Sequence, residues 1–138
     1  MKPRKPKPIL YEEVQDNAMM AQRVEEGLPV TDIVEFGKQA GFTTDEIARL
    51  IHIPPRTYAR RVAAKARLKV PEGERAVRLI RLFERAKQVF GSDENTRSWF
   101  NSKILALGRK TPLEFAQTEP GAREVENLIG RIEHGVLS

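Results

Sequence analysis

Between Glu46 and Glu72 the chain has no carboxylate and seven cations: Arg49, Arg56, Arg60, Arg61, Lys65, Arg67 and Lys69. Guanidinium and ammonium groups at that density bind phosphates, and an arginine also reads a guanine edge through two parallel hydrogen bonds. Groups able to do covalent or acid–base chemistry are scarce by contrast. There is no cysteine, and the two histidines, His52 and His134, stand far apart in no metal-ligand spacing and beside no nucleophile pattern. No glycine-rich phosphate loop occurs. The chemistry on offer is recognition of a polyanion, and neither an enzyme nor a metal or cofactor is expected.

The cationic window contains the elements needed to position it. Thr43 and Glu46 have the spacing of a capping box, in which each side chain satisfies a backbone N–H near the other. Ile47, Ala48, Leu50 and Ile51 then give the first helix an apolar face, and Ala48 is small enough for a second helix to approach. His52 and Ile53 make the turn, and Pro55 suits the first position of the next helix, where its missing N–H costs nothing. In that helix Tyr58 and Val62 point inward together while Arg56 and Arg60 share another face. Two helices on so tight a turn predict a helix-turn-helix whose second helix enters the major groove. Base contacts then fall to Arg56, Thr57, Arg60 and Arg61, and phosphate contacts to Arg49, Lys65, Arg67 and Lys69. His52 stands where such turns prefer glycine, in a region histidine tolerates better than most residues, and Pro54 replaces the usual capping hydroxyl. One such helix reads only a few base pairs, so a homodimer on double-stranded DNA with inverted half-sites is the expected unit.

At 138 residues and 40% apolar, the chain has material for one compact domain or two small modules sharing a core. The absence of cysteine fits a reducing cytoplasm. No apolar run reaches the length of a membrane span, and the basic start (Lys2, Arg4, Lys5, Lys7) leads into Glu12 and Glu13 instead of an apolar signal core, so a cytoplasmic protein without membrane contact is expected. The net charge of +5 is unevenly spread. Residues 28–91 carry thirteen basic and seven acidic residues (+6), residues 92–138 six and seven (−1), and residues 1–27 five of each. A polyanion belongs to the middle, and the last third has another task.

Punctuation and periodicity divide the chain four ways. Residues 1–8, three prolines among four cations, are expected to be a disordered basic tail. Residues 9–27 form an N-terminal helix over Tyr11–Glu26, with Val14, Ala18, Ala21 and Val24 on one side. Residues 28–91 are the helix-turn-helix domain. It opens with a helix capped by Thr31 and running from Asp32 to Gln39, and closes with a long helix from Glu72 to Phe90. In that helix Ala76, Leu79, Ile80, Phe83, Ala86 and Phe90 form a stripe, with Arg75, Arg78, Arg81 and Arg85 mostly turned away. Residues 92–138 are a second module. A helix from Asp93 to Leu107, a short one opened by Thr111-Pro112-Leu113-Glu114, and a last one from Pro120-Gly121 carrying Ala122, Val125, Leu128, Ile129 and Ile132 are expected there. This third is too small to be stable alone, so Trp99 and Phe100 are expected to pack on the long helix or on a second copy. With no strand in sight, the fold class is all-α.

The pattern Trp99, Leu107-Gly108, Thr111-Pro112-Leu113-Glu114, Gly121-Ala122, Val125, Leu128-Ile129, Arg131-Ile132 and Gly135-Val136 resembles the toxin-binding domain of Xre/ParS-type antitoxins. With the helix-turn-helix upstream, the order of parts is similar to antitoxins that partner RES-domain toxins, over residues 28 to 138. That resemblance implies a binding protein that neutralises a co-expressed, NAD-consuming toxin and represses its own operon. It places Arg131, Glu133, Gly135, Val136, Leu137 and Ser138 at or near the toxin surface, where a short tail leaving a helix at Gly135 enters a cleft and excludes substrate. Trp99, Leu107, Leu113, Val125, Leu128 and Ile129 read as core. A stand-alone transcription regulator, its last third dimerising or sensing a ligand, is the competing reading.

Overall fold

The computed structural model describes residues 11–135, and among these the regular structure is helical: α1 (Tyr11–Gln15), α2 (Asn17–Glu26), α3 (Val30–Ala40), α4 (Thr44–Leu50), α5 (Pro55–Ala64), α6 (Val70–Phe90), α7 (Asp93–Phe100), α8 (Pro112–Phe115) and α9 (Glu119–Glu133), with one 3-10 turn at Leu105–Leu107. Extended pairing among the described residues is limited to two isolated bridges, Pro29 with Arg67 and Ile104 with Lys110. The basic tail expected at residues 1–8 lies outside the described residues, as do Val136, Leu137 and Ser138. The chain divides into two compact units within α6, between Ile80 and Arg81, upstream of the Gly91 break at which the sequence suggests a module boundary.

In the first unit the single N-terminal helix expected over Tyr11–Glu26 is two. Asp16, in an extended conformation, caps α2 by accepting the Met19 N–H at 3.0 Å. The interruption shifts the inward face, so that Val14, Met20 and Val24 are buried while Ala18 and Ala21 are exposed. Helix α3 also starts before the expected Thr31 cap, with Pro29 at the cap position. Its reason is tertiary: the Val30 N–H donates to Ala66 O at 3.0 Å and the Leu68 N–H to Leu28 O at 2.8 Å, which ties the start of α3 to the segment after α5. The core beneath includes Leu28, Val30, Ile33, Ile47, Ala48, Ile51 and Tyr58, each 2% exposed or less. Removing each larger apolar side chain from water contributes about 1.5–3 kcal/mol.

The second unit is organised around the aromatic end of α6. Phe83 stacks on Phe100, centroids 5.7 Å apart at 18°, while Trp99 lies 5.1 Å from both Phe90 and Phe100. Trp99 and Phe100 thus pack on the long helix. Helix α7 ends at Phe100, seven residues short of the expected Leu107. Side chains near its end compete for its carbonyls: Asn101 Nδ2 donates to Arg97 O at 2.9 Å and Ser102 Oγ to Ser98 O at 2.7 Å. The chain then turns through a loop closed by the Ile104–Lys110 bridge. Helix α9 buries Ala122, Val125, Leu128 and Ile129. Gly121 allows its approach to α8, because a Cβ there would stand 1.8 Å from Phe115 O.

Candidate nucleic-acid and partner-binding interfaces

The α4–turn–α5 hairpin has the geometry its sequence suggests. Thr43 Oγ1 accepts the Glu46 N–H at 3.1 Å and Glu46 Oε1 accepts the Thr43 N–H at 2.9 Å, a complete capping box. His52 takes the left-handed conformation at φ 58°. The turn is secured by the Ile53 N–H donating to Ala48 O at 2.9 Å, and by a bond the sequence did not suggest, Arg75 Nε from α6 to Ile51 O at 2.7 Å. Pro54 caps α5 without a side-chain bond and Pro55 opens it. Tyr58 is buried, and burial pushes its phenol up to about 12, so it remains a neutral packing group.

The cations of the window separate into two groups. Arg49 on α4, Arg56 and Arg60 on α5, and Lys65 at the end of α5 (φ 51°) are exposed, and their side chains make no hydrogen bond or ion pair among the described residues. Thr57 is half-buried and Lys69 exposed. Arg61 and Arg67 are engaged within the fold. Arg61 forms a close ion pair with Glu72, side chains 17% and 12% exposed, and Arg67 Nη1 donates to Gly27 O at 2.7 Å. Glu72 also accepts the Lys69 N–H at 2.8 Å. Burial pushes the Glu72 carboxyl up, but the Lys69 N–H, the Arg61 hydrogen bond and charge and the Lys69 charge outweigh it and hold the group below its ordinary value. The carboxylate that ends the acid-free window is therefore the counter-charge fastening α5 to α6. Its position at the edge of a cationic run is the one sign of that role in the sequence.

In the second unit the expected partner-facing residues are distributed differently. Glu133 receives a two-pronged bond from Arg85 of α6, Nη2 to Oε1 at 2.6 Å and Nη1 to Oε2 at 3.1 Å. That bond holds the Glu133 carboxyl below its ordinary value, desolvation opposing and the charges of Arg85 and His134 assisting. Arg85, which the sequence pattern turns away from the apolar stripe, is thus a clamp on α9. Arg131 lies 3.7 Å from Glu124, and Gly135 is exposed at φ 71°. Leu107, Val125, Leu128 and Ile129 are buried, whereas Trp99 and Leu113 are half-buried. Among the described residues no group of three or more His, Cys, Asp or Glu side chains is placed to hold a metal, and no helix is long and apolar enough to cross a membrane.

Comparison with known proteins gives these two units a context. Residues 85–135 match the antitoxin Xre/MbcA/ParS C-terminal toxin-binding domain, and residues 19–81 match the antitoxin Xre-like helix-turn-helix domain. Antitoxin Xre of Photorhabdus laumondii is 38% identical over 114 residues, spanning 82% of this chain and 77% of that protein. Antitoxin Xre of Yersinia enterocolitica is 35% identical over 121 residues, spanning 87% and 82%. The chain belongs to the Xre antitoxin family. A more distant relative, antitoxin Xre of Pseudomonas putida, is 26% identical over 113 residues, spanning 82% and 70%. An Xre-family chain is a non-enzymatic antitoxin, its toxin-binding domain implying a cognate toxin as partner and its helix-turn-helix suggesting DNA. The join between the two matched segments falls inside α6, close to the division at Ile80 and Arg81.

Proposed function

We propose that this antitoxin neutralises an NAD-consuming RES-domain toxin by covering its active site, and that it represses its own operon by binding operator DNA as a homodimer. The observation that carries this reading is the pairing, in one chain, of a toxin-binding domain at residues 85–135 with a hairpin at residues 44–64 whose Arg56 and Arg60 are exposed and uncommitted. The order of parts that resembles RES-partnering antitoxins supports the identity of the toxin. Arg56, Thr57 and Arg60 read bases from α5, and Arg49, Lys65 and Lys69 neutralise phosphates. Arg61 and Arg67 act behind them, holding α5 and the following segment in place. Occlusion of the toxin falls to Gly135, Val136, Leu137 and Ser138, and Arg131 and Glu133, the latter bonded to Arg85, meet the toxin surface beside them. An excluded substrate needs no chemistry from the protein that excludes it.

The test is co-expression of the chain with the protein encoded beside it, followed by purification and a mobility-shift titration on DNA from upstream of the pair. A stoichiometric complex that shifts its own upstream DNA, from cells whose NAD falls when the antitoxin is withheld, is the expected result. A chain that binds the upstream DNA yet associates with no neighbour is a stand-alone regulator instead.

A further inference from the structure

The last third of the chain keeps its charges apart. All seven carboxylates of residues 92–138 lie outside the stretch 95–113, which carries four of the six cations, Arg97, Lys103, Arg109 and Lys110. In the middle of that stretch Leu105 is 78% exposed, about twice as open as Met19 (37%) or Val70 (43%), the other exposed large apolar residues among those described. A single exposed leucine is ordinary on a protein surface. The loop that carries it is not, because it is fixed from several sides. The Ile104 N–H donates to Lys110 O, the Arg109 N–H to Ile104 O and the Gly108 N–H to Leu105 O, each at 3.0 Å. Leu107, 2% exposed, anchors the turn in the core. Gly108 and Arg109 are both left-handed, φ 69° and 65°, and for arginine that conformation persists only where its surroundings enforce it. A built loop thus holds an aliphatic side chain in water, with Lys103, Arg109 and Lys110 exposed around it and making no ion pair among the described residues. Lys110 also borders an open groove of about 470 Å³ in which Phe115 and Pro120 stand beside the carboxylates of Glu114 and Glu124, so the cationic rim ends on that side of the loop.

We propose that the Ile104–Lys110 loop is a docking knob for the cognate toxin, Leu105 entering an apolar socket bordered by carboxylates that face Lys103, Arg109 and Lys110. This rests on the reading of the chain as a toxin-neutralising protein and adds a contact distant in sequence from residues 131–138. The occupant is a folded protein, since a phosphate backbone offers leucine nothing, and an apolar centre with a charged rim is the anatomy of a protein interface. The rim cations speed encounter with an acidic partner, and the buried leucine slows escape.

The experiment measures association and dissociation of the full-length chain against the cognate toxin recovered from the co-expressed complex. Three proteins are compared: the natural chain, Leu105→Asp, and the double variant Lys103→Glu with Lys110→Glu. With Leu105 in solvent, the substitution leaves the far-ultraviolet spectrum and thermal midpoint unchanged. Leu105→Asp is expected to weaken binding about tenfold or more, mainly through faster dissociation. The charge-reversed variant is expected to associate more slowly at low salt and to lose most of its salt dependence. Affinities within about twofold of the natural chain for both variants, with the natural chain binding tightly, overturn the knob and leave the proposed function standing. A natural chain that co-purifies with no toxin on co-expression overturns both. Unchanged toxin affinity with a missing homodimer or abolished DNA binding would assign the loop to a second copy or to nucleic acid, and also overturns the proposal.

Discussion

Arg60 and Arg61 are adjacent in sequence and differ in what they are free to do. Arg60 is exposed with no partner among the described residues, whereas Arg61 is committed to Glu72. Arg60→Ala is expected to weaken preference for operator over unrelated DNA in a mobility-shift titration while toxin binding stays intact. Removing one bidentate arginine–guanine pair takes away about 1–3 kcal/mol of discrimination. Arg61→Ala should act on folding, because it strands a carboxylate that is largely out of water, at a cost of about 1–3 kcal/mol in urea denaturation. Glu72 gives a pH signature as well. Its carboxyl is held below the ordinary value in the folded state, so its contribution is fully present above the unfolded pKa and is lost as pH falls through the folded one. Glu72→Gln should therefore flatten the acid side of the stability profile, and an unchanged profile would show that the pair contributes nothing.

Among the elements, what could be read from the sequence was set locally. The capping box at Thr43 and Glu46, Pro55 at the start of α5 and the left-handed His52 each depend on neighbours within a few residues, and each is found where its spacing placed it. What escaped depends on distant partners. Nothing local announces that α3 begins at Val30, since Ala66 fixes it, and the stop of α7 at Phe100, which Asn101 and Ser102 mark locally, is completed by a loop that closes through Lys110. The pattern turns Arg75 and Arg85 away from the apolar stripe and goes no further, because sequence periodicity reports the face of a helix and says nothing of a carbonyl or carboxylate from another helix within reach. Gly121 was legible only as punctuation, yet its role is close packing. Gly121→Ala must move α9 from α8 to relieve a Cβ 1.8 Å from Phe115 O, and should destabilise the protein by about 1–3 kcal/mol in thermal or urea unfolding. Wild-type stability in that variant would mean that α8 yields easily.

For the whole molecule, a cationic middle and a near-neutral last third divide two kinds of partner between them. Binding of the middle to DNA should fall steeply with salt, and replacing Arg49, Lys65 or Lys69 singly with alanine should reduce the salt slope by about 0.9 for each phosphate left without its cation. Deleting residues 135–138 should restore toxin activity more than it weakens association, because docking by the body of the domain and occlusion by the terminal segment are separable. Full inhibition by the shortened chain would transfer occlusion to the docked domain. For the NAD-consuming toxin proposed as partner, the most direct measurement is its NAD turnover as purified antitoxin is titrated in. The expected result is a fall to zero at a fixed stoichiometry, insensitive to Arg60→Ala. Turnover that continues unchanged with antitoxin in excess would contradict neutralisation outright.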